Sequence, residues 1–254
     1  MGGGYEDERL ARAYQPGNEM PEAALRAWTE LICSYGPCSA SAVLDVGAGT
    51  GIFSHSVARR LQRSVVVGID PSKPMLAEAR RRIAHPRVRY VAGTAEALPI
   101  RSGVFDLAIL SRVIHHLPDP RACALELRRV LRPDGVVVIR TTFREGLDAL
   151  VYDYWPSLRV ADRRRFPSQQ EVVDHFTAAG FAVRDSTSFA QPVTTSLGEF
   201  HARMSTRPQS KFTQLTDHEF AEGMTRLGAD AEASDSATPR PVLERYDLLV
   251  MSAG

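Results

Sequence analysis

The chain has 254 residues and a net charge of +1, with 44% hydrophobic and 24% charged residues. This composition is typical of a soluble globular protein, and the length allows one large domain with a substantial core. The balanced charge argues against a nucleic-acid partner, because bulk attraction to a polyanion needs a surplus of Lys and Arg.

The cysteines and the hydropathy pattern bear on location. Cys33, Cys38 and Cys123 are an odd number without a C-x-x-C pair, which fits free, buried thiols in a reducing compartment. Neither a secretory signal nor an apolar run long enough to cross a bilayer is recognisable. We therefore expect a cytoplasmic protein without a membrane partner.

The first predicted helix begins at Pro21 and carries an apolar stripe through Tyr35 with the spacing of an amphipathic helix. Residues 5–20 before it are polar and mixed. Within them Tyr14 is a candidate substrate contact, with a packing role as the alternative.

A glycine-rich turn follows the first predicted strand. Residues 43–46 form an apolar run, residues 47–51 read Gly-Ala-Gly-Thr-Gly, and a helical pattern follows over residues 52–61. Strand, tight turn and helix predict the opening of a βαβ unit whose loop approaches a ligand closely. Two features disfavour a dinucleotide: Ile52 replaces the third glycine of that fingerprint, and Asp45 would repel a pyrophosphate. The same carboxylate suits a ligand that carries an ammonium group.

Strands and helices then alternate along the chain, which predicts a parallel sheet with helices on both faces and right-handed crossovers. The predicted strands are residues 64–69, 88–91, 104–110 and 136–142, and the helices between them are residues 72–84, with Ser72 as N-cap, and 120–131.

The pattern changes after residue 142. A capping box at Ser168 and Glu171 opens a helix that ends near residue 179, and a sixth strand follows at residues 181–189. Residues 192–230 are predicted to be helical, with a second capping box at Thr216 and Glu219. A loop over residues 231–241 and a final strand at residues 246–251 complete the chain.

Polar residues gather where the strands end, which is where doubly wound sheets bind ligands. Asp70 follows the second strand, 25 residues after Asp45, in the position of an acid that accepts hydrogen bonds from ribose hydroxyls. The alternative for Asp70 is a surface turn. Residues 93–96 and 111–112 follow the third and fourth strands.

These motifs resemble those of class I S-adenosylmethionine-dependent methyltransferases, in particular the small-molecule, ubiquinone-type (type 11) group. The matching segments are residues 43–51, 68–72, 93–99, 105–106, 115–119 and 131–135. The resemblance implies an α/β fold with a doubly wound, Rossmann-like, seven-stranded sheet that is mostly parallel, an antiparallel last strand beside the fifth, and helical lid insertions. It further implies a single domain over residues 1–254. The core would comprise residues 36–142, 168–190 and 242–254, and the substrate or lid segments residues 5–35, 143–167 and 191–230.

The resemblance also implies a cofactor, S-adenosylmethionine, with S-adenosylhomocysteine as product, and assigns residues to each part of it. Asp45, Gly47, Ala48, Gly49, Thr50 and Gly51 would line the methionine part, Asp70 would bind the ribose, and Pro71 and Met75 would pack on the adenine. Thr94, Ala95 and Glu96 would contact the adenine edge, and Ser111, Arg112 and Val113 would border the sulfonium. Many relatives have Asp where this chain has Thr94, so the adenine amino contact departs from the family there.

Methyl transfer from a sulfonium is a direct displacement, in which the protein mainly aligns nucleophile and methyl group. His115 and His116 lie just past the fourth strand, and either is a candidate base for a hydroxyl acceptor. Structural or substrate-positioning roles are the alternative. The sequence has no histidine and carboxylate spacing typical of a metal site.

Substrate choice is expected in the segments outside the core pattern. Tyr152 and Trp155 are candidate walls of an apolar pocket, against the alternative of a helix packed on the sheet. His201 and Arg207 belong to a candidate lid with Phe200, Arg203 and Met204, and Arg207 is a candidate anion contact or a solvent-exposed side chain.

The expected function is methyl transfer to an O, N or C nucleophile of a small molecule, in secondary metabolism such as natural product biosynthesis. The alternatives are a non-methylating S-adenosylmethionine-binding protein, such as a cyclase or sensor, and an NAD-dependent oxidoreductase. Residues 111–114 read Ser-Arg-Val-Ile and lack the Asn/Asp-Pro-Pro-aromatic sequence of nucleic-acid methyltransferases. We expect a monomer or homodimer.

Overall fold

The computed structural model describes residues 20–37, 42–82, 84–207, 210–235 and 241–254. The strands in chain order are β1 (Ala42–Val46), β2 (Val65–Asp70), β3 (Val88–Ala92), β4 (Phe105–Ser111), β5 (Leu131–Thr141), β6 (Phe181–Thr194) and β7 (Val242–Ala253). The helices are α1 (Glu22–Tyr35), α2 (Ile52–Arg60), α3 (Lys73–Arg82), α4 (Pro120–Val130), α5 (Val151–Tyr154), α6 (Pro156–Arg165), α7 (Gln169–Ala178), α8 (Leu197–Met204) and α9 (Asp217–Asp235).

The seven strands form one sheet in the order β3-β2-β1-β4-β5-β7-β6. Strands β1 to β5 pair in parallel, and β7 lies antiparallel between β5 and β6. The predicted doubly wound sheet with an antiparallel last strand is confirmed. The order reverses between β1 and β4, so their carboxyl ends open the crevice in which such sheets bind ligands.

Helices cover both faces of the sheet because the central strands are apolar on both sides. On one face, Leu127 of α4 and Phe176 of α7 pack against the strands, and both are buried. On the other face, Trp28 of α1 and Phe53 of α2 do the same.

A third apolar cluster lies in the segments outside the sheet. Helices α5, α6, α8 and α9, with the short 3-10 helix Ser210–Gln214, bury their aromatic and aliphatic side chains against one another. We call these four helices and the 3-10 helix the lid. Its helix starts follow the sequence signals: the Thr216 hydroxyl accepts from the Glu219 N–H at 3.2 Å, and the Glu219 carboxylate accepts from the Thr216 N–H at 2.9 Å. The capping box at Ser168, which begins α7, is also confirmed.

Several boundaries differ from the sequence prediction, including the start of β5, which is Leu131 rather than residue 136. Strand β6 runs to Thr194 rather than residue 189, and β7 covers residues 242–253 rather than 246–251, because the two strands form a long antiparallel pair. Strand β6 is an edge strand with many exposed residues, so its apolar pattern is weak, and an edge tolerates Pro192. Helix α9 continues through residue 235, so the loop predicted from residue 231 was wrong at its start.

Candidate functional site

The glycine loop after β1 has the backbone that its sequence predicts. Gly47 and Gly51 have φ values of +67° and +79°, a region that side chains with a Cβ disfavour. A Cβ on Gly47 would lie 2.3 Å from a methyl group of Val113, and one on Gly51 would lie 2.0 Å from the Tyr90 hydroxyl. The loop therefore packs so closely on its neighbours that only glycine fits at both positions.

Asp45 lies just beneath this loop and is 2% exposed. Its Oδ2 accepts a hydrogen bond from the Ser54 hydroxyl at 2.5 Å. Burial raises the pKa of Asp45 to about 7, with the nearby Asp70 carboxylate adding to the shift and Ser54 opposing it. Among the described residues, no Lys, Arg or His forms an ion pair with it. A cationic ligand beside this buried carboxyl group would favour its ionised form.

Asp70 ends β2 and ties the loop to the neighbouring strand. Its Oδ2 accepts from the Gly49 N–H and its Oδ1 accepts from the Ser72 N–H, both at 2.8 Å. Burial raises the pKa of Asp70, while these two N–H donors lower it. Each carboxylate oxygen keeps a further lone pair, so Asp70 can still accept from a ligand diol.

The residues assigned to the adenine follow β2 and β3, with Met75 in the first turn of α3. Met75 and Ala95 are buried, whereas Pro71 and Thr94 are exposed. The backbone of Thr94 accepts from the Ala97 N–H in a tight turn. Glu96, in the same turn, has a buried Oε1 without a hydrogen-bond partner among the described residues. These placements form a partly open, partly apolar border beside Asp70.

A cleft of about 970 Å³, counting solvent at its mouth, runs from the glycine loop to the lid. It brings together seven of the predicted cofactor residues: Asp45, Gly47, Ala48, Gly49, Thr50, Ser111 and Arg112. The other predicted cofactor residues do not line it. Gly51 and Val113 pack beside the loop, Met75 lies in α3, and the rest lie at neighbouring strand ends: Asp70, Pro71, Thr94, Ala95 and Glu96. Val193 and the lid residues Phe200, Arg203 and Met204 complete the wall.

Sequence reasoning missed the residues that β5 and β7 contribute to the cleft, Arg140, Glu244 and Tyr246. Arg140 is 1% exposed and lies over the ring of Tyr246, 3.9 Å from its centroid. One signal was present in the sequence, since Arg140 interrupts the apolar run of residues 136–139. A charged residue at the end of a buried strand marks a polar site more often than a surface.

The two histidines lie in the short 3-10 helix Ile114–His116 that follows β4. The His115 ring stacks on Phe166 with centroids 4.1 Å apart, and the Arg165 guanidinium contacts the His116 ring. Burial lowers the pKa of both His115 and His116 most, followed by the neighbouring His116 ring for His115 and by the Arg165 guanidinium for His116. The His116 ring keeps an exposed edge, so hydration opposes the shift there. Both rings are thus neutral at neutral pH, and neither lines the cleft.

Tyr152 and Trp155 form part of the core of the lid. The Tyr152 hydroxyl donates to Asp162 at 2.8 Å, and Trp155, 2% exposed, lies between Phe212 and Phe220 with centroids 5.2 and 5.8 Å away. Neither side chain lines the cleft, because aromatic residues at a helix interface bury most area against one another.

The remaining predicted substrate residues also lie off the cleft wall. His201 of α8 packs beside Gly228 of α9. Arg207 pairs with Asp217 at 2.6 Å and lies over the Phe220 ring, on the exposed side of the lid. Tyr14 lies outside the described residues. The cleft wall in this region instead comes from the same helix as His201, through Phe200, Arg203 and Met204.

Within the part of the chain that the structure describes, no group of three or more His, Cys, Asp or Glu side chains is placed to hold a metal ion. No helix among those same residues is both long and apolar enough to span a bilayer.

The sheet order, the glycine loop after β1 and the acid that ends β2 define the class: this is the fold of class I S-adenosylmethionine-dependent methyltransferases. Residues 44–139 match the family model described as "Methyltransferase domain". This segment, less than half of the chain, is thus similar to a methyltransferase domain of the type 11 group, a family that uses S-adenosylmethionine.

Similar proteins include enzymes of quinone methylation and proteins of other chemistry. A demethylmenaquinone methyltransferase from Roseiflexus castenholzii is 31% identical over 149 residues, which is 58% of this chain and 63% of that protein. A candidate methyltransferase of an antibiotic biosynthesis pathway from Anabaena variabilis superposes with a TM-score of 0.66 at 22% identity, over 87% of this chain and 96% of its own. The [4+2]-cyclase SpnF superposes with a TM-score of 0.61 at 21% identity, over 93% and 83%. The chain spans 34% to 63% of the length of the first curated relatives that it matches.

Proposed function

We propose that this protein transfers the methyl group of S-adenosylmethionine to an O, N or C nucleophile of a small molecule. The observation that carries the proposal is the buried Asp45 carboxylate at the cleft, which has no cationic partner among the described residues. S-adenosylmethionine has an ammonium and a sulfonium and no phosphate, so it supplies the missing positive charge where a dinucleotide would add repulsion.

The other residues around the loop fit the same ligand. The space beside Gly49, which lines the cleft, is open, so a ligand can approach the loop closely there. Asp70 has lone pairs left for a vicinal diol after accepting from two N–H groups. Met75 and Ala95, which follow β2 and β3, are buried apolar residues and agree with a base bound in this region.

The bound cofactor supplies an activated methyl group, so the protein's task is alignment and exclusion of water. Ser111 and Arg112 line the cleft at the end of β4, one strand away from Asp45, where the methyl group would meet the acceptor. Phe200 and Met204 cover this part of the cleft with apolar surface. We retain His115 and His116 as candidate bases or positioning groups. Their lowered pKa makes them weak bases, suited at most to an acceptor that loses its proton late in the transfer.

The proposal extends to the setting of the reaction. We propose an acceptor from natural product biosynthesis, a cytoplasmic enzyme and a monomer or homodimer. The buried free thiols of Cys33 and Cys123 agree with a reducing compartment.

Calorimetry with S-adenosylhomocysteine and with NAD tests the cofactor, and we expect binding of the first alone. Transfer is then measured with methyl-labelled S-adenosylmethionine and a panel of phenols, amines and carbon acids. Binding of NAD in place of the nucleoside would refute the proposal. Binding of the cofactor without transfer to any acceptor would favour a non-methylating protein such as a cyclase.

A further inference from the structure

Arg140 is a buried positive charge that the protein leaves incompletely paired. It lies in β5 opposite Ser111 of β4 and is 1% exposed. One guanidinium nitrogen, Nη1, donates to the Ser111 hydroxyl at 3.3 Å. Nε and Nη2 are buried and have no hydrogen-bond partner among the described residues. Such groups cost free energy unless an acceptor completes them.

Three aromatic rings hold this guanidinium in place. Its central carbon lies 3.9 Å from the ring centroid of Tyr246, 4.6 Å from that of Trp28 and 5.7 Å from that of Phe53. These rings stabilise a cation over their faces but accept no strong hydrogen bond from its edge. We call Trp28, Phe53 and Tyr246 the aromatic box.

The polar groups of the aromatic box have other partners, and the Tyr246 hydroxyl is in addition close enough to Arg140 to favour its charged form. Trp28 Nε1 donates to Gln191 at 2.5 Å, and the Tyr246 hydroxyl donates to Glu244 at 2.8 Å. No carboxylate among the described residues forms an ion pair with Arg140. Burial lowers the pKa of Arg140 to about 10, so the group remains charged at neutral pH.

The edge formed by Nε and Nη2 has the two parallel N–H donors that match a carboxylate in a bidentate pair. The cleft that this side chain lines has three guanidinium groups, those of Arg112, Arg140 and Arg203, against two carboxylates, those of Asp45 and Glu244. Its lining therefore carries a surplus of positive charge.

The position of Arg140 points to the acceptor rather than to the cofactor. Strand β5 lies beyond β4 on the side away from β1 and β2. A cofactor that extends from Asp70 on β2 to Ser111 on β4 leaves the space beside β5 and the lid to a second molecule.

We propose that Arg140, held in the aromatic box, is an oxyanion receptor that binds a carboxylate or a similar planar anion of the acceptor molecule. This inference rests on the proposed function, because it places the acceptor beside a bound cofactor. It predicts that anionic acceptors are preferred over neutral molecules of the same shape.

The test uses benzoate and benzamide as probes on the wild-type protein saturated with S-adenosylhomocysteine, with binding measured by calorimetry and by the Arg140 Nε–H resonance. We expect benzoate to bind and to shift that resonance, and benzamide to do neither. Arg140→Gln should weaken benzoate binding by roughly tenfold or more, and Arg140→Lys by less. The control is Arg144→Gln, which removes a positive charge from a surface pair with Glu171 and should leave benzoate binding unchanged.

Three results would refute the proposed role of Arg140 as an oxyanion receptor. Equal binding of benzoate and benzamide would do so, as would a wild-type protein that binds S-adenosylhomocysteine but neither probe. The third concerns the Arg140→Gln variant. It would bind S-adenosylhomocysteine more weakly than the wild type does, but would bind 5′-methylthioadenosine, which lacks the amino acid end, with unchanged affinity. That loss would assign Arg140 to the cofactor's own carboxylate. Failure of the proposed function is distinct, since the wild-type protein would then not bind S-adenosylhomocysteine.

Discussion

Replacing Asp45 by Asn should stabilise the free protein above neutral pH and at the same time weaken cofactor binding. The substitution keeps the shape of the side chain and removes the buried charge. The free protein then no longer holds an unpaired carboxylate in a water-poor site, whereas the bound ligand loses the counter-charge of its ammonium group.

The pKa of Asp45 sets the magnitude and the sign of the expected change in stability. Burial raises that pKa from its ordinary 3.8 to about 7. The folded state therefore binds the proton more tightly than the unfolded chain. The resulting stability is fully present below the unfolded pKa and is lost as the pH rises through the folded pKa. A shift of about three pKa units corresponds to about 4 kcal/mol. Above the folded-state pKa of Asp45, the Asp45→Asn substitution should therefore raise the free energy of unfolding by up to that amount. Below the unfolded-state pKa it should change the free energy of unfolding little.

The assay combines urea unfolding with calorimetry of S-adenosylhomocysteine across pH. Wild-type affinity should fall by up to tenfold for each pH unit below the Asp45 pKa and level off above it, because the ligand ammonium needs the ionised carboxylate. Ser54→Ala removes the hydroxyl that lowers this pKa, so the midpoint should move to higher pH. Asp45→Asn should show a weak, pH-independent affinity. An affinity of wild type that does not change across this range, or an Asn variant that binds as tightly, would refute the reasoning.

Three further substitutions test other parts of the site. Asp70→Ala should lower S-adenosylhomocysteine affinity roughly 10- to 100-fold, because two ribose hydroxyls lose their acceptor; calorimetry that finds equal affinity would remove Asp70 from the site. Gly47→Ala should lower the free energy of unfolding by well above the roughly 1 kcal/mol expected for Gly49→Ala. The reason is that a Cβ on Gly47 meets a side chain at 2.3 Å, whereas the space beside Gly49 is open. Similar urea midpoints for the two variants would contradict this. Arg165→Gln should raise the pKa of His116, since it removes a nearby positive charge. An NMR titration that finds the same pKa for His116 in the variant and the wild type would contradict a contact between the two side chains.

The proposed cofactor half of the site was predictable because its signals are local. Asp45, the glycine loop and Asp70 lie at strand-to-turn junctions that alternating patterns of sequence mark directly. Once the strands are parallel, their carboxyl ends meet at one edge of the sheet, so these residues come together. The capping box at Ser168 was equally readable, since its partners are three residues apart.

The proposed acceptor half was not predictable in the same way. The aromatic residues of the lid segments suggested a pocket wall, yet Trp155 is buried between two rings of the lid itself. Which side of a helix faces a cleft depends on the partner that covers the other side, and a single segment does not encode that partner. For the same reason Phe200 and Met204 line the cleft while His201 between them in the chain does not.

The amino-acid sequence by itself determined the order of strands and helices, the glycine turn and the acids at the strand ends, because these depend on neighbours a few residues apart. The tertiary structure alone decided the charge states and partners. The pKa of Asp45 follows from its burial, and the incomplete pairing of Arg140 follows from Trp28, Phe53 and Tyr246, which three distant parts of the chain bring to one place. Burial and long-range contact exist only once the chain has folded, so no local pattern records them.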